Sequence, residues 1–124
     1  MGINVHSEYL KIGGTPVNAT ALTSGTAYYT DSIKVRSSRG FSALLVLLTA
    51  GGDDVDISFQ TSLNGIDWYT PVNTAGAALG TIYTTLAASA WIVFSPQVTR
   101  YIRFLLDPDA NSTVTAQYIQ QEGD

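Results

Sequence analysis

The chain has 124 residues, with ten acidic and six basic side chains, one histidine and no cysteine. That length holds one domain with a real core, and the lack of cysteine removes disulfides, zinc–thiolate sites and thiol nucleophiles. The basic residues are scattered over Lys11, Lys34, Arg36, Arg39, Arg100 and Arg103 in a chain of net charge −4, which excludes the clustered cationic footprint that nucleic acid requires.

Read in chain order, residues 1–15 lack a clear period and end at Gly13-Gly14, so they are expected to form a flexible N-terminal arm, with residues 16–124 as the domain proper. The opening residues have no basic stretch leading into an apolar one, so no secretory leader is expected. Thr15 to Thr30 predicts two short strands around a Ser24-Gly25 turn. Ile33 and Val35 alternate with Lys34 and Arg36, the pattern of a half-exposed strand. Phe41 to Thr49 is apolar on both faces and predicts a central strand, or one whose outer face a neighbouring chain covers. The apolar run extends only to Ala50, about half of a membrane-spanning helix, so no membrane is expected as a partner.

Gly51-Gly52-Asp53-Asp54 reads as a turn. Val55, Ile57 and Phe59 then point to one side of a strand, with Asp56, Ser58 and Gln60 on the other. Asn64-Gly65 is a strong hairpin signal, since both residues tolerate the positive φ of a type I′ turn. Ile66 to Thr70 is the expected return strand, and Pro71 ends it. Asn73 to Gly80 reads as a loop. The alanines of 75–90 would suit a helix, but the threonines and glycines oppose it and favour a strand near Ile82–Leu86. Trp91–Ser95, Thr99–Leu106 and Thr113–Gln120 complete a set of about eight or nine strands. The prediction is an all-β, antiparallel, jelly-roll-like β-sandwich with an irregular N-terminal arm.

The segment Ser62-Leu63-Asn64-Gly65-Ile66-Asp67-Trp68 resembles the Ser-x-Asp-Gly-x-x-Trp hairpin of discoidin-like jelly rolls and of small β-sandwich proteins in tailed bacteriophage particles. Ser62, Asn64, Gly65 and Trp68 are its key positions, with Asn64 in place of the usual Asp. Thr99 to Phe104 is similar to the Tyr-x-Arg stretch before the final strands of such folds. The resemblance implies a fold shared by lectins, adhesins and virion proteins. The charged fraction of 13 % is about half the usual value and leaves a neutral surface prone to association. These features together imply a capsid decoration protein. Its partners would be the major capsid protein or other virion proteins, with self-association as a trimer. It would be made in the host cytoplasm and sit on the capsid surface. In that role Ile3, Val5, Tyr9, Leu10 and Ile12 would form a partner-binding arm. The alternatives are a tail or neck accessory protein and a carbohydrate-binding module or adhesin domain.

No catalytic constellation is recognisable, and no cofactor motif. A nucleophile needs a base beside it, and the single histidine, His6, lies in the expected arm. Asp107, Asp109 and Asn111 have the spacing that opens a calcium loop. Ser112 stands where the loop's glycine belongs and Tyr118 where its bidentate glutamate belongs, so a polar turn is the better reading. Asp53, Asp54 and Asp56 form a second acidic group, read as a charged strand entrance. Trp68, Tyr69, Tyr83, Trp91, Tyr28 and Tyr29 could offer sugar-stacking rings, although Trp68 and Trp91 stand at positions expected to face the core.

Overall fold

The computed structural model describes residues 4–36, 42–48, 53–96 and 99–122. They form twelve strands: β1 (Asn4–Tyr9), β2 (Lys11–Ile12), β3 (Thr15–Pro16), β4 (Thr20–Leu22), β5 (Tyr28–Tyr29), β6 (Ile33–Lys34), β7 (Ser42–Leu48), β8 (Val55–Ser62), β9 (Thr81–Leu86), β10 (Ala90–Phe94), β11 (Tyr101–Pro108) and β12 (Ser112–Glu122). No helix occurs among the described residues, so the threonines and glycines of 75–90 prevail over the alanines. One antiparallel sheet runs β1-β12-β7-β10, with β4 also on β12. The other runs β5-β11-β8-β9, with β6 also on β11. The two sheets pack face to face as the expected sandwich, with more strands than counted from sequence because five of them span only two or three residues.

Alternation explains which side chains meet inside. Leu44 and Val46 of β7, Val55, Ile57 and Phe59 of β8, Ile102, Phe104 and Leu106 of β11, and Val114, Ala116 and Tyr118 of β12 are all buried. Phe59, Phe94, Phe104 and Tyr118 form an aromatic centre with neighbouring ring centroids 5.3 to 6.1 Å apart, within the range where edge and offset contacts add to area burial. The Tyr118 hydroxyl finds its polar partner in Ser42 Oγ at 2.8 Å. At the sandwich end, the amide of buried Gln120 bridges the sheets: its Nε2 donates to the Lys34 carbonyl at 3.1 Å, and its Oε1 accepts the Arg36 N–H. Gly80 is demanded by contact, because a Cβ there would lie 2.6 Å from the Phe59 carbonyl oxygen.

The N-terminal segment corrects the sequence expectation. Residues 4–9 are strand β1, in unbroken register with β12 from Asn4↔Glu122 to Tyr9↔Gln117. Leu10 is fully buried, its N–H donating to the Ala116 carbonyl at 3.0 Å and its carbonyl accepting the Val17 N–H at 2.7 Å. Ile12 packs partly buried against the core. Gly13 and Gly14 are not a flexible joint. Both have positive φ, and they close the β2–β3 hairpin in which Ile12 faces Thr15, as a type I′ turn requires. Their N–H groups donate to the two carboxylate oxygens of Asp31 at 3.0 and 2.7 Å. Of the expected arm residues, Leu10 and Ile12 therefore belong to the core, Val5 and Tyr9 are exposed strand positions, and Ile3 lies outside the described residues.

Candidate functional site

The hairpin motif is present but built differently from expectation. Thr61 and Tyr69 exchange both backbone hydrogen bonds, at 2.8 and 2.9 Å, and this isolated bridge is the only pairing of the return segment among the described residues. Between them the loop is held by side chains. Ser62 Oγ accepts the N–H groups of Asn64 and Gly65 at 3.2 and 2.8 Å and donates to Asn64 Oδ1 at 3.1 Å. Asn64 Oδ1 also accepts the N–H groups of Ile66 and Asp67, each at 2.9 Å, while its Nδ2 donates to Asp67 Oδ2 at 2.9 Å. Gly65 has φ +76°, but Asn64 is not among the residues of positive φ, so the turn is not type I′. The side-chain acceptors of Ser62 and Asn64 satisfy the N–H groups that a two-residue turn would pair across strands. Oxygen at position 64 is what the loop needs, which explains why Asn serves where Asp is usual.

The loop delivers Trp68 to the outer face of the second sheet. There the Arg103 guanidinium lies 4.4 Å from the Tyr29 ring centroid and 4.8 Å from that of Trp68. Its Nε donates to Gln60 Oε1 on the neighbouring strand at 2.8 Å. Register places these groups together: Arg103 pairs with Gln60, and Leu105 with Tyr29. The stacked cation is fixed by two rings and one amide, the residue types that dominate protein-binding hot spots. The six aromatics proposed as a sugar platform are not brought together. Trp91 is on the opposite sheet, and the Tyr28 hydroxyl accepts the Thr23 N–H at 2.9 Å while its ring packs against the core.

The first sheet presents a different outer face. Trp91 and Val93 of β10 are 59 % and 64 % exposed, which corrects the inward placement of Trp91. The register of β10 on β7 sets Trp91 against Leu45 and Val93 against Ala43, so Ala90, Ile92 and Phe94 take the inward side. Ala43, Ile119 and Val5 continue the apolar strip across β7, β12 and β1, around a shallow depression of about 300 Å³. The doubly apolar pattern of β7 thus reflects a central strand that also carries an apolar outer face. His6 and Glu8 of β1, paired at 2.9 Å, alternate with the outward Val5, Ser7 and Tyr9 and so lie on the other side. From residue 68 to residue 99 the sequence has no charged side chain.

The two acidic groups merge into one. Carboxylate oxygens of Asp54, Asp56 and Asp109 lie within 4.8 Å of one another, an oxygen set of the kind a hard cation accepts. Asn111 is not part of it, since its Oδ1 accepts the Ser24 N–H at 2.9 Å. Asp107 faces Asp56 across β11 and β8. The charge of Asp56 above all, then desolvation and the charges of Asp54 and Asp107, push the Asp109 carboxyl above the usual carboxylate range. Asp109 is exposed and Asp54 and Asp56 are half-exposed, so the group reads as mutual repulsion at a strand entrance.

Geometry thus defines an all-β sandwich with two differently built outer faces, one aromatic–cationic and one neutral and apolar. Comparison with protein-family models and with curated proteins returned no match.

Proposed function

We propose that this chain is a structural virion protein, of the kind that decorates the heads of tailed bacteriophages, acting by covering protein surface rather than by chemistry. The observation that carries the reading is the outer face of the first sheet, where Trp91, Val93 and Val5 are each more than half exposed and no described residue lining the depression between them is charged. Contiguous exposed apolar area of this kind marks an interaction site, and multiple symmetric copies on a capsid would each add the free energy of burying it. The hairpin likeness to phage particle proteins supports the setting, and the major capsid protein is the corresponding partner. The same surfaces serve a tail or neck accessory protein, so head and tail particles both belong in the test.

A carbohydrate-binding role is the second reading, favoured by the Arg103 stack between Tyr29 and Trp68. The experiment mixes the purified chain with phage heads and tails lacking it and follows co-sedimentation and heat release of DNA. Saturable binding to heads with a raised release temperature is the expected result. Absence of binding to either particle, together with a glycan-array signal lost on Trp68→Ala, would overturn the proposal in favour of the second reading.

A further inference from the structure

The edges of the two sheets are treated very differently, and one is left open. A sheet edge offers unpaired N–H and C=O groups that template pairing with another chain unless it is short, bulged, charged or covered. Strand β1 turns the hydrogen-bonded polar pair His6 and Glu8 inward. Strands β4, β5 and β6 have three, two and two residues. Strand β9 shifts register twice against β8, and Thr85 within it takes φ +54°, held by its N–H donating to Asp56 Oδ1 at 2.7 Å. Among the described residues, strand β10 has none of these devices. Its five residues, Ala-Trp-Ile-Val-Phe, run in unshifted register on β7 and end the sheet.

From this contrast we infer that β10 pairs edge to edge with β10 of a second copy, antiparallel about a two-fold axis at Ile92. A second copy is the occupant that the charge distribution favours. Each chain carries net charge −4, so two copies repel wherever acidic surface meets. Residues 68–99, which include β10, are wholly uncharged, and register sets the uncharged Ala43 and Leu45 of β7 beside its outward side chains. A like-charged twin therefore meets less opposing charge here than at β9, where Asp56 lies against Thr85. The strand is also self-complementary. An antiparallel pair centred on Ile92 sets Trp91 against Val93 of the other copy, and Val93 against Trp91, on the same outer face. Aromatic against β-branched is a favourable cross-strand pairing, and a two-fold contact makes it twice. The joined sheet would double the apolar strip offered to a capsid.

The test uses the full chain in solution, without any particle. Size exclusion with light scattering should give a dimer, twice the 13.2 kDa chain mass. Val93→Lys and Trp91→Glu, both at exposed positions, should each weaken association at least about tenfold while leaving the circular dichroism spectrum of the folded chain intact. Mixing the two variants should restore a heterodimer, because the introduced lysine and glutamate then face each other across the axis. A monomer or a trimer at about 100 µM chain, well above the range of a specific dimer, overturns the inference. So does a dimer indifferent to both substitutions, or one lost in both and not restored by mixing. A monomer that still binds heads would remove the dimer and leave the decoration role standing.

Discussion

Leu10→Ala separates a folded N-terminus from a loose one. Leu10 has no exposed surface, sits in the core cluster, and is pinned on both sides by backbone hydrogen bonds to Val17 and Ala116. Truncating a fully buried leucine removes its transfer free energy and leaves a cavity, together about 2.7–5 kcal/mol. The residue lies at the end of β1 near the sandwich rim, where neighbours can partly close the gap, so about 3 kcal/mol is expected. With a urea slope of about 1.5–2 kcal/mol/M for a small domain, the unfolding midpoint should fall by roughly 1.5–2 M at an unchanged slope. Val5→Ala is the control, because Val5 is 69 % exposed and should shift stability by no more than about 0.5 kcal/mol. Equilibrium urea unfolding followed by tryptophan fluorescence reads both. A loss below about 0.5 kcal/mol in Leu10→Ala would refute the placement of this segment in the core.

Asn64→Ala removes the acceptor of two backbone N–H groups; thermal denaturation should show a loss of about 1 kcal/mol. Asn64→Asp should show a comparable one at pH 7, because the acceptor oxygen remains but a second carboxylate oxygen replaces the Nδ2 donor facing Asp67. Tyr118 is pushed up to about 12 by burial, against the Ser42 hydrogen bond that lowers it. The unfolded chain then ionises this hydroxyl first, so stability should hold up to about pH 10 and decline as pH rises towards 12, and ultraviolet titration should show one tyrosine ionising last. Asp109 has a raised pKa, so the stability present when it is protonated is lost as pH rises through its folded value. Asp109→Asn should therefore raise the melting temperature at pH 7 and lose that advantage near pH 3; an equal gain at both pH values would refute mutual carboxylate repulsion as the cause.

What was legible in the sequence follows the range over which each feature is decided. Strand β8 alternates because one face lies on the core, and Val55, Ile57 and Phe59 could be assigned inward on period alone. Strand β11 instead reads as a strand without a clear face, since Tyr101 and Leu105 are apolar on the side away from buried Ile102, Phe104 and Leu106. Strand β1 could not. Its inward positions carry His6 and Glu8, and its partner β12 stands more than a hundred residues away, so no local signal distinguishes it from a loose arm. Trp91 departs from its sequence expectation for a related reason: hydrophobicity argues inward, but the register of β10 on β7 sets it outward. At Asn64-Gly65 a local rule was outvoted by another local rule, since Ser62 and Asn64 supply acceptors that a type I′ turn does not need. The acidic site was half legible. Asp109 and the pair Asp54, Asp56 were each visible, but only pairing of β8 with β11 joins them.

The distribution of charge ties the fold to the proposed role. A sandwich has to guard its edges, and this chain does so with an inward His–Glu pair on β1, a bulge on β9 and brevity at β4, β5 and β6. All of these guards cost stability or regularity, and their absence from β10 coincides with the longest uncharged stretch of the sequence and with two large apolar side chains turned outward. In a protein meant to remain alone, one lysine at 91 or 93 would close the edge at little energetic cost, since both positions are exposed. Retaining Trp and Val there instead leaves exposed apolar surface in water at about 25 cal/mol per Å², an expense that burial against another polypeptide recovers. The open edge and the neutral face are therefore one feature, and both the proposed decoration role and the proposed pairing rest on it.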